Sequence, residues 1–211
     1  MCRQNYASMK EIILEKSMSL FWRYGTKSIT MDDVARECGA SKKTIYQFFK
    51  DKNELVFECV KSEINQQDAE LQKIQDDAEN ALQEVIFISQ FMKKKIDAVN
   101  PGLIFDLQRH HYNAWQLFQC KKDNERLQMI VNNLERGKRE ELYREEINSL
   151  YLAKIRVEQM HLAFDMNVFP PSEFDFKTLH LQLLDHFLHG LVTEKGLALL
   201  RYYKNQTLPG L

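Results

Sequence analysis

Apolar residues recur at three- and four-residue spacing along most of the chain. No stretch alternates apolar and polar positions between Asn-Gly-type turns, so the pattern predicts an all-α protein. Ile13, Ser17, Leu20, Phe21 and Tyr24 share one face of a first helix over about 7–24, ended by Gly25. Thr30 opens a short second helix with Met31, Val34, Ala35 and Cys38 inward. Asp33, three residues on, is a shorter relative of the capping-box glutamate. Gly39-Ala40 makes a turn, and Ser41 caps a third helix to about Phe49, with Ile45 and Phe49 inward. Asp51 caps a fourth helix to roughly Gln72, on Leu55, Val56, Cys59, Val60 and Ile64.

Further helices are expected over 80–99, stopped by Asn100-Pro101, and over 103–110. Others follow over 113–136, broken near Gly137, and over 149–165. After a loop at 166–174, Asp175 caps a helix through about Gly190, and 198–203 adds a short last one. No internal repeat or low-complexity tract interrupts the series, and Lys93–Lys95 is read as a solvated helix face.

Residues 30–49, TMDDVARECGASKKTIYQFF, have the properties of a helix-turn-helix. Ala35 is small enough for two helices to cross closely, and Gly39 tolerates the positive φ of a sharp turn. The second helix offers Lys42, Lys43, Thr44, Tyr46 and Gln47 outward, donor types that hold phosphates and read base edges. Its N-terminus, capped by Ser41, adds backbone N–H groups and a positive dipole end.

Charge supports this division of labour. The whole chain of 211 residues carries −1, but residues 1–55 hold 10 basic and 7 acidic side chains, for +3, leaving −4 on the remainder. Four scattered cysteines, Cys2, Cys38, Cys59 and Cys120, form no CxxC pair, which argues against a zinc ribbon and a disulfide framework. The opening residues do not read as a signal peptide, and no run approaches a membrane span. A cytoplasmic protein with no membrane partner and no cofactor is expected.

Residues 9–56 resemble the TetR family of bacterial transcriptional regulators. The likeness rests on Ile13-Leu14, Leu20-Phe21, Gly25, Thr30, Val34-Ala35, Gly39, the run Ser41 to Tyr46, Phe49, Lys52 and Glu54-Leu55. It implies a DNA-binding domain over 1–52 and a helical ligand-binding and dimerisation domain over 53–211. It also implies a homodimer on a palindromic DNA operator, a small-molecule inducer, and repression as the mode of regulation. Thr30 and Lys52 are placed at backbone phosphates, with Ser41, Lys42, Lys43, Thr44, Tyr46 and Gln47 on the DNA-facing helix. Thr44 is open to a second reading, as an interior-edge residue. Phe48 departs from the family's usual histidine or tyrosine, and Ser17 from its alanine.

Large apolar groups with interleaved polar ones mark the body as a place for an apolar or amphipathic ligand. Phe87, Phe91, Phe105, His111, Tyr112, Trp115 and Phe118 are its expected lining, an ordinary core being the alternative. The resemblance places the helix after Pro101 against the long fourth helix, and the dimer seam on the last two long helices. That seam would use Val157, His161 and Phe164 with Leu179, Leu183, His186, Phe187 and Gly190; the alternative is that these stripes face their own core. Three other functions are weighed. Glu158-Gln-Met-His161 is an ExxH of the kind used by di-iron bundles, but a second is lacking, and hydrolase signatures such as GxSxG and HExxH are absent. A ligand carrier that ignores DNA is the remaining rival.

Overall fold

A computed structural model describes residues 8–207, apart from 99, 101, 121, 122, 166 and 171. Cys2, the helix start at Ala7, the helix end at Val99 and the stop at Pro101 lie outside the described residues. Among the described residues eleven helices follow in order: α1 Met9–Tyr24, α2 Met31–Cys38, α3 Lys42–Phe48, α4 Lys52–Asp77, α5 Ala81–Ala98, α6 Gly102–His110, α7 Tyr112–Cys120, α8 Asp123–Arg139, α9 Ser149–Leu162, α10 Phe176–His189 and α11 Glu194–Thr207. Among the described residues the β-structure is a single antiparallel bridge between Tyr143 and Val192.

The chain forms two compact units. One comprises residues 1–69 with 97–120, and the other 70–96 with 121–211. The start of α4 and the helices α6 and α7 thus belong to the same compact unit as α1–α3.

In the first unit Ile13, Phe21, Val34, Ile45, Phe49, Leu55, Val56 and Cys59 are buried, each from a position that the apolar spacing placed inward. Truncating one such residue to alanine costs about 2–5 kcal/mol. Capping follows local chemistry. Ser8 and Glu11 close a capping box on α1, and Thr30 and Asp33 close one on α2. Asp51 Oδ1 accepts from Glu54 N at 2.9 Å to start α4. Gly39 ends α2 at φ 63°, and the Ala40 amide donates to Ala35 O at 2.9 Å.

In the second unit Leu82, Ile86, Leu134, Tyr143, Leu184, Leu188, Leu191 and Leu200 form the core. One arginine ties the start of α5 to the end of α8. Arg136 donates from Nε to Glu140 Oε1 at 2.7 Å and from Nη2 to Ala78 O at 2.7 Å, and Nη1 stands 3.4 Å from Glu84 Oε2. Burial pushes the Glu84 carboxyl up, opposed by Asn133, Gln75 and Arg136.

Three helices differ from expectation. The segment expected as one helix over 113–136 is divided between α7 and α8, and α8 runs on through Gly137 to Arg139. Gly137 is a packing glycine inside that helix, because the Tyr143 ring lies against it. The short helix expected over 198–203 is the longer α11, begun when Thr193 Oγ1 accepts from Gly196 N at 3.1 Å. The helix expected to reach Asp165 ends at Leu162, and turns in which Phe164 N donates to His161 O follow it.

Candidate functional site

The α2–turn–α3 pair presents most of the expected DNA-facing residues on one surface. Ser41 Oγ accepts from Thr44 N at 3.1 Å and lies 2.8 Å from Thr44 Oγ1, so this hydroxyl pair closes the first turn of α3. Thr44 is half-buried, whereas Lys42, Lys43, Tyr46 and Gln47 are exposed. Lys42 Nζ donates to Asp32 Oδ2 at 2.8 Å, and this hydrogen bond holds its ammonium above the usual lysine range. Lys43 thus offers its charge with no ion pair among the described residues, while Lys42 must exchange a carboxylate for any phosphate. Sequence reasoning missed Asp32, although its place in the first turn of α2, two turns ahead of the glycine bend, brings it within reach of Lys42.

Thr30 is engaged locally as well: its Oγ1 donates to Asp33 Oδ2 at 2.6 Å, and these Thr30 hydrogen bonds hold the Asp33 carboxyl low. Lys52 is half-buried at the start of α4. Burial lowers its ammonium, opposed by the carboxylates of Asp106 and Asp33. Phe48, the departure from the family pattern, is 39% exposed and therefore not consumed by the core.

A latch within this unit, between residues distant in sequence, had no signal in the sequence. Asp106 on α6 accepts from the Lys27 amide, between α1 and α2, at 2.8 Å. Asn100 donates from its backbone to Trp22 O at 2.7 Å and from Nδ2 to Arg23 O at 3.1 Å. His111, buried at the α6–α7 junction, places Nδ1 2.7 Å from Asn53 Oδ1. Its imidazole is held low by burial, then by the charges of Lys52 and His110. Asp106→Ala should cost about 1 kcal/mol, a partly exposed charge-assisted hydrogen bond, and should speed amide exchange at Lys27. Unchanged exchange at Lys27 would show that the contact does not hold the turn.

The expected ligand lining is spread over both units. Phe105, His111, Tyr112, Trp115 and Phe118 belong to the first, where Tyr112 is exposed and Trp115 stacks on Phe118 at 5.7 Å. Phe87 and Phe91 belong to the second, Phe87 against the core and Phe91 beneath Lys95 Nζ at 5.5 Å. Neither unit by itself gathers the whole set.

The expected dimer stripe is also divided. Val157 is 1% exposed and is used by its own unit, as is Ala153. Phe164 packs on Phe176 at 4.6 Å; Leu179, Leu183, Phe187 and His161 are half-buried; His186 and Gly190 are exposed. The apolar face that α9 leaves open is Tyr151, Ile155 and Leu162, at i, i+4 and i+11.

Two titratable groups, one buried and one half-buried, lie on α9 and α10. Arg156 is 4% exposed, and burial lowers its guanidinium to about 10. His180 is held at about 4 by burial and then by Arg156. An unfolded imidazole titrates near 6.5, so on acidification the unfolded chain takes up this proton first. Stability should therefore fall between pH 6.5 and 4, by about 2–3 kcal/mol from this group, and the loss should shrink in His180→Gln. Urea midpoints across that range measure it, and parallel curves for the two proteins would refute the assignment. Glu158 stands 3.7 Å from His161, and among the described residues no three His, Cys, Asp or Glu side chains gather as a metal site needs. No helix of the described residues is long and apolar enough to cross a membrane.

Comparison with known proteins places the head. Residues 13–59 match the family model described as bacterial regulatory proteins, tetR family. An uncharacterized HTH-type transcriptional regulator, YvaF of Bacillus subtilis (strain 168), is 31% identical over 112 residues, 51% of this chain and 56% of that protein. YhgD of the same organism, another uncharacterized HTH-type transcriptional regulator, is 48% identical over 46 residues, 22% of this chain and 24% of that one. The chain thus spans 56% of the length of the first of these curated relatives and 24% of the second. Solved structures share the fold. A TetR-family transcriptional regulator from Agrobacterium tumefaciens has a TM-score of 0.67 at 17% identity, covering 88% of this chain and 98% of that one. The transcriptional regulator FadR from Bacillus subtilis, in complex with stearoyl-CoA, has 0.58 at 15% identity, covering 85% and 97%.

Proposed function

We propose that this chain, which by its residues 13–59 belongs to the tetR family of bacterial regulatory proteins, is a homodimeric repressor that binds a palindromic DNA operator and is released by a small ligand. The observation that carries the reading is one short helix, α3, with Lys42, Lys43, Tyr46 and Gln47 exposed together behind a capped N-terminus. Thr30 and Lys52 serve as flanking phosphate contacts, and Ser41 and Thr44 order the turn that meets the backbone. A single three-helix head is too small for useful specificity, so two heads on a two-fold axis meet half-sites about 34–36 Å or more apart.

The last long helices supply the dimer seam, and Tyr151, Ile155 and Leu162 on α9 are its centre, since Val157 already faces its own core. The ligand is apolar or amphipathic, a reading supported by the large apolar groups of the body and by the stearoyl-CoA complex of a protein with the same fold. Release requires that the ligand bind unequally to the DNA-bound and free arrangements. Asp106 and His111 give α6 and α7 direct hold of the head, and so a physical means of biasing it.

Selection of genomic fragments with the purified protein, followed by binding at graded salt, tests this function. About six to eight phosphate contacts in the dimer should give a slope of log K against log salt of about −5 to −7. A monomeric protein, or no enriched fragment at low ionic strength, would sink the proposal.

A further inference from the structure

The residues of α3 stand around its axis so that its exposed surface has sides of different chemistry. Ile45 is 0% exposed and marks the inner side. At about 3.6 residues per turn, Lys43 and Gln47 fall opposite it. Lys42 and Tyr46, four apart, share one flank, and Thr44 and Phe48, also four apart, share the other. The first flank carries an ammonium and a phenol. The second is apolar: the Thr44 hydroxyl stands 2.8 Å from Ser41 Oγ, which leaves its methyl, and the Phe48 ring has no polar atom.

The core does not need that ring. Phe48 is 39% exposed, whereas Phe49, the next residue, is 1% exposed and takes Lys10 Nζ over its face at 5.8 Å. The aromatic place at the end of α3 is therefore filled by Phe49. Phe48 stands instead on a surface with two exposed lysines. A phosphate offers a phenyl group neither a hydrogen bond nor an opposite charge. Its gain comes from covering apolar surface that water would otherwise meet. On the base edges of the major groove that surface is the 5-methyl group of thymine, which also tells thymine from cytosine. The methyl projects beside the groove wall, where the flank of an inserted helix comes to lie.

We infer that Phe48 selects a thymine in each half-site by packing on its 5-methyl group, with the Thr44 methyl beside it. This role rests on the DNA-binding reading above and deepens it. Lys42 and Lys43 hold phosphates, which carry no sequence information, and the apolar flank supplies a base preference that they cannot. Phe48 is a specificity-determining residue in this scheme, and its contribution does not depend on salt, because it displaces no counter-ion.

The test uses the full chain and the duplex that genomic selection enriches. Thymidines are replaced one position at a time, in both half-sites together, by deoxyuridine, which keeps the base pair and its hydrogen bonds and deletes only the methyl. At one position the wild-type affinity should fall about ten- to fifteenfold, or roughly three- to fourfold per half-site, the scale of one buried methyl. Phe48→Ala should bind the thymine duplex more weakly and no longer distinguish it from the deoxyuridine duplex at that position, with the wild-type salt slope. Phe48→Leu should keep part of the distinction. Indifference of the wild type to deoxyuridine at every position overturns the assignment. So does undiminished discrimination in Phe48→Ala, which would give the methyl to another side chain. A ring that only packs would weaken binding to both duplexes alike and leave the discrimination in place. Should Phe48→Ala not fold, the wild-type scan and Phe48→Leu decide. If Lys42→Ala with Lys43→Ala weakens binding while deoxyuridine has no effect, the role of Phe48 falls alone. If no duplex is enriched, the regulator reading falls and this role with it.

Discussion

Gly137→Ala should destabilise the protein by about 3 kcal/mol and lower its melting temperature by roughly 6–12 °C. The change would ordinarily do the opposite, since alanine in a helix interior is better than glycine by about 1 kcal/mol. Here a Cβ would stand 2.0 Å from Tyr143 Cδ2 and 2.2 Å from Cε2. The ring has nowhere to go. Tyr143 is 1% exposed, its hydroxyl donates to Asn133 Oδ1 at 3.2 Å, and Asn133 Nδ2 donates to Ala81 O at 3.0 Å. The Leu142 and Tyr143 amides both donate to Gly137 O, at 2.9 and 3.0 Å, so the backbone is fixed on both sides. Overpacking therefore outweighs helix propensity. Thermal and urea unfolding measure the difference, and a variant as stable as the wild type would show that the ring relocates at little cost.

The second large effect concerns DNA. Lys42→Ala combined with Lys43→Ala removes up to four positive charges from the proposed dimer. The salt slope should become shallower by about 2–4, and affinity near physiological salt should drop by roughly 10²–10³. The two lysines should contribute unequally. Lys42 gives up its 2.8 Å partner Asp32 before it can meet a phosphate, whereas Lys43 has no such contact. Lys43→Ala alone should thus account for more than half of the loss. An unaltered slope in the double variant would mean that α3 does not face the phosphates.

The head was legible in the sequence because its rules are local. Thr30 and Asp33, or Ser41 and Thr44, sit three residues apart and meet through one turn of backbone, and Gly39 announces its left-handed φ by having no side chain. In the body, periodicity shows that a helix has an apolar face but not what covers it. Val157 belongs to a stripe that could face a partner and instead faces its own core, while Tyr151, Ile155 and Leu162 are left open. Gly137 reads as a helix end because its reason for being glycine lies in Tyr143, beyond a turn. The bond from Lys27 to Asp106 joins residues 79 apart, and no spacing rule reaches that far. Nothing in the spacing marks Arg156 as nearly buried, since burial of a charge becomes visible only when neighbouring elements are in place.

On the function proposed above, the shared unit of α1–α3 with α6 and α7 sets a limit on how the chain can be spliced. A chimera that takes its reader from this chain by cutting at residue 52 leaves behind the side chain of Asp106, the twin bonds of Asn100 and the seat of His111 against Asn53. The transplanted piece would carry its recognition surface but not the underside that fixes its posture. A graft of residues 1–69 together with 97–120 keeps both.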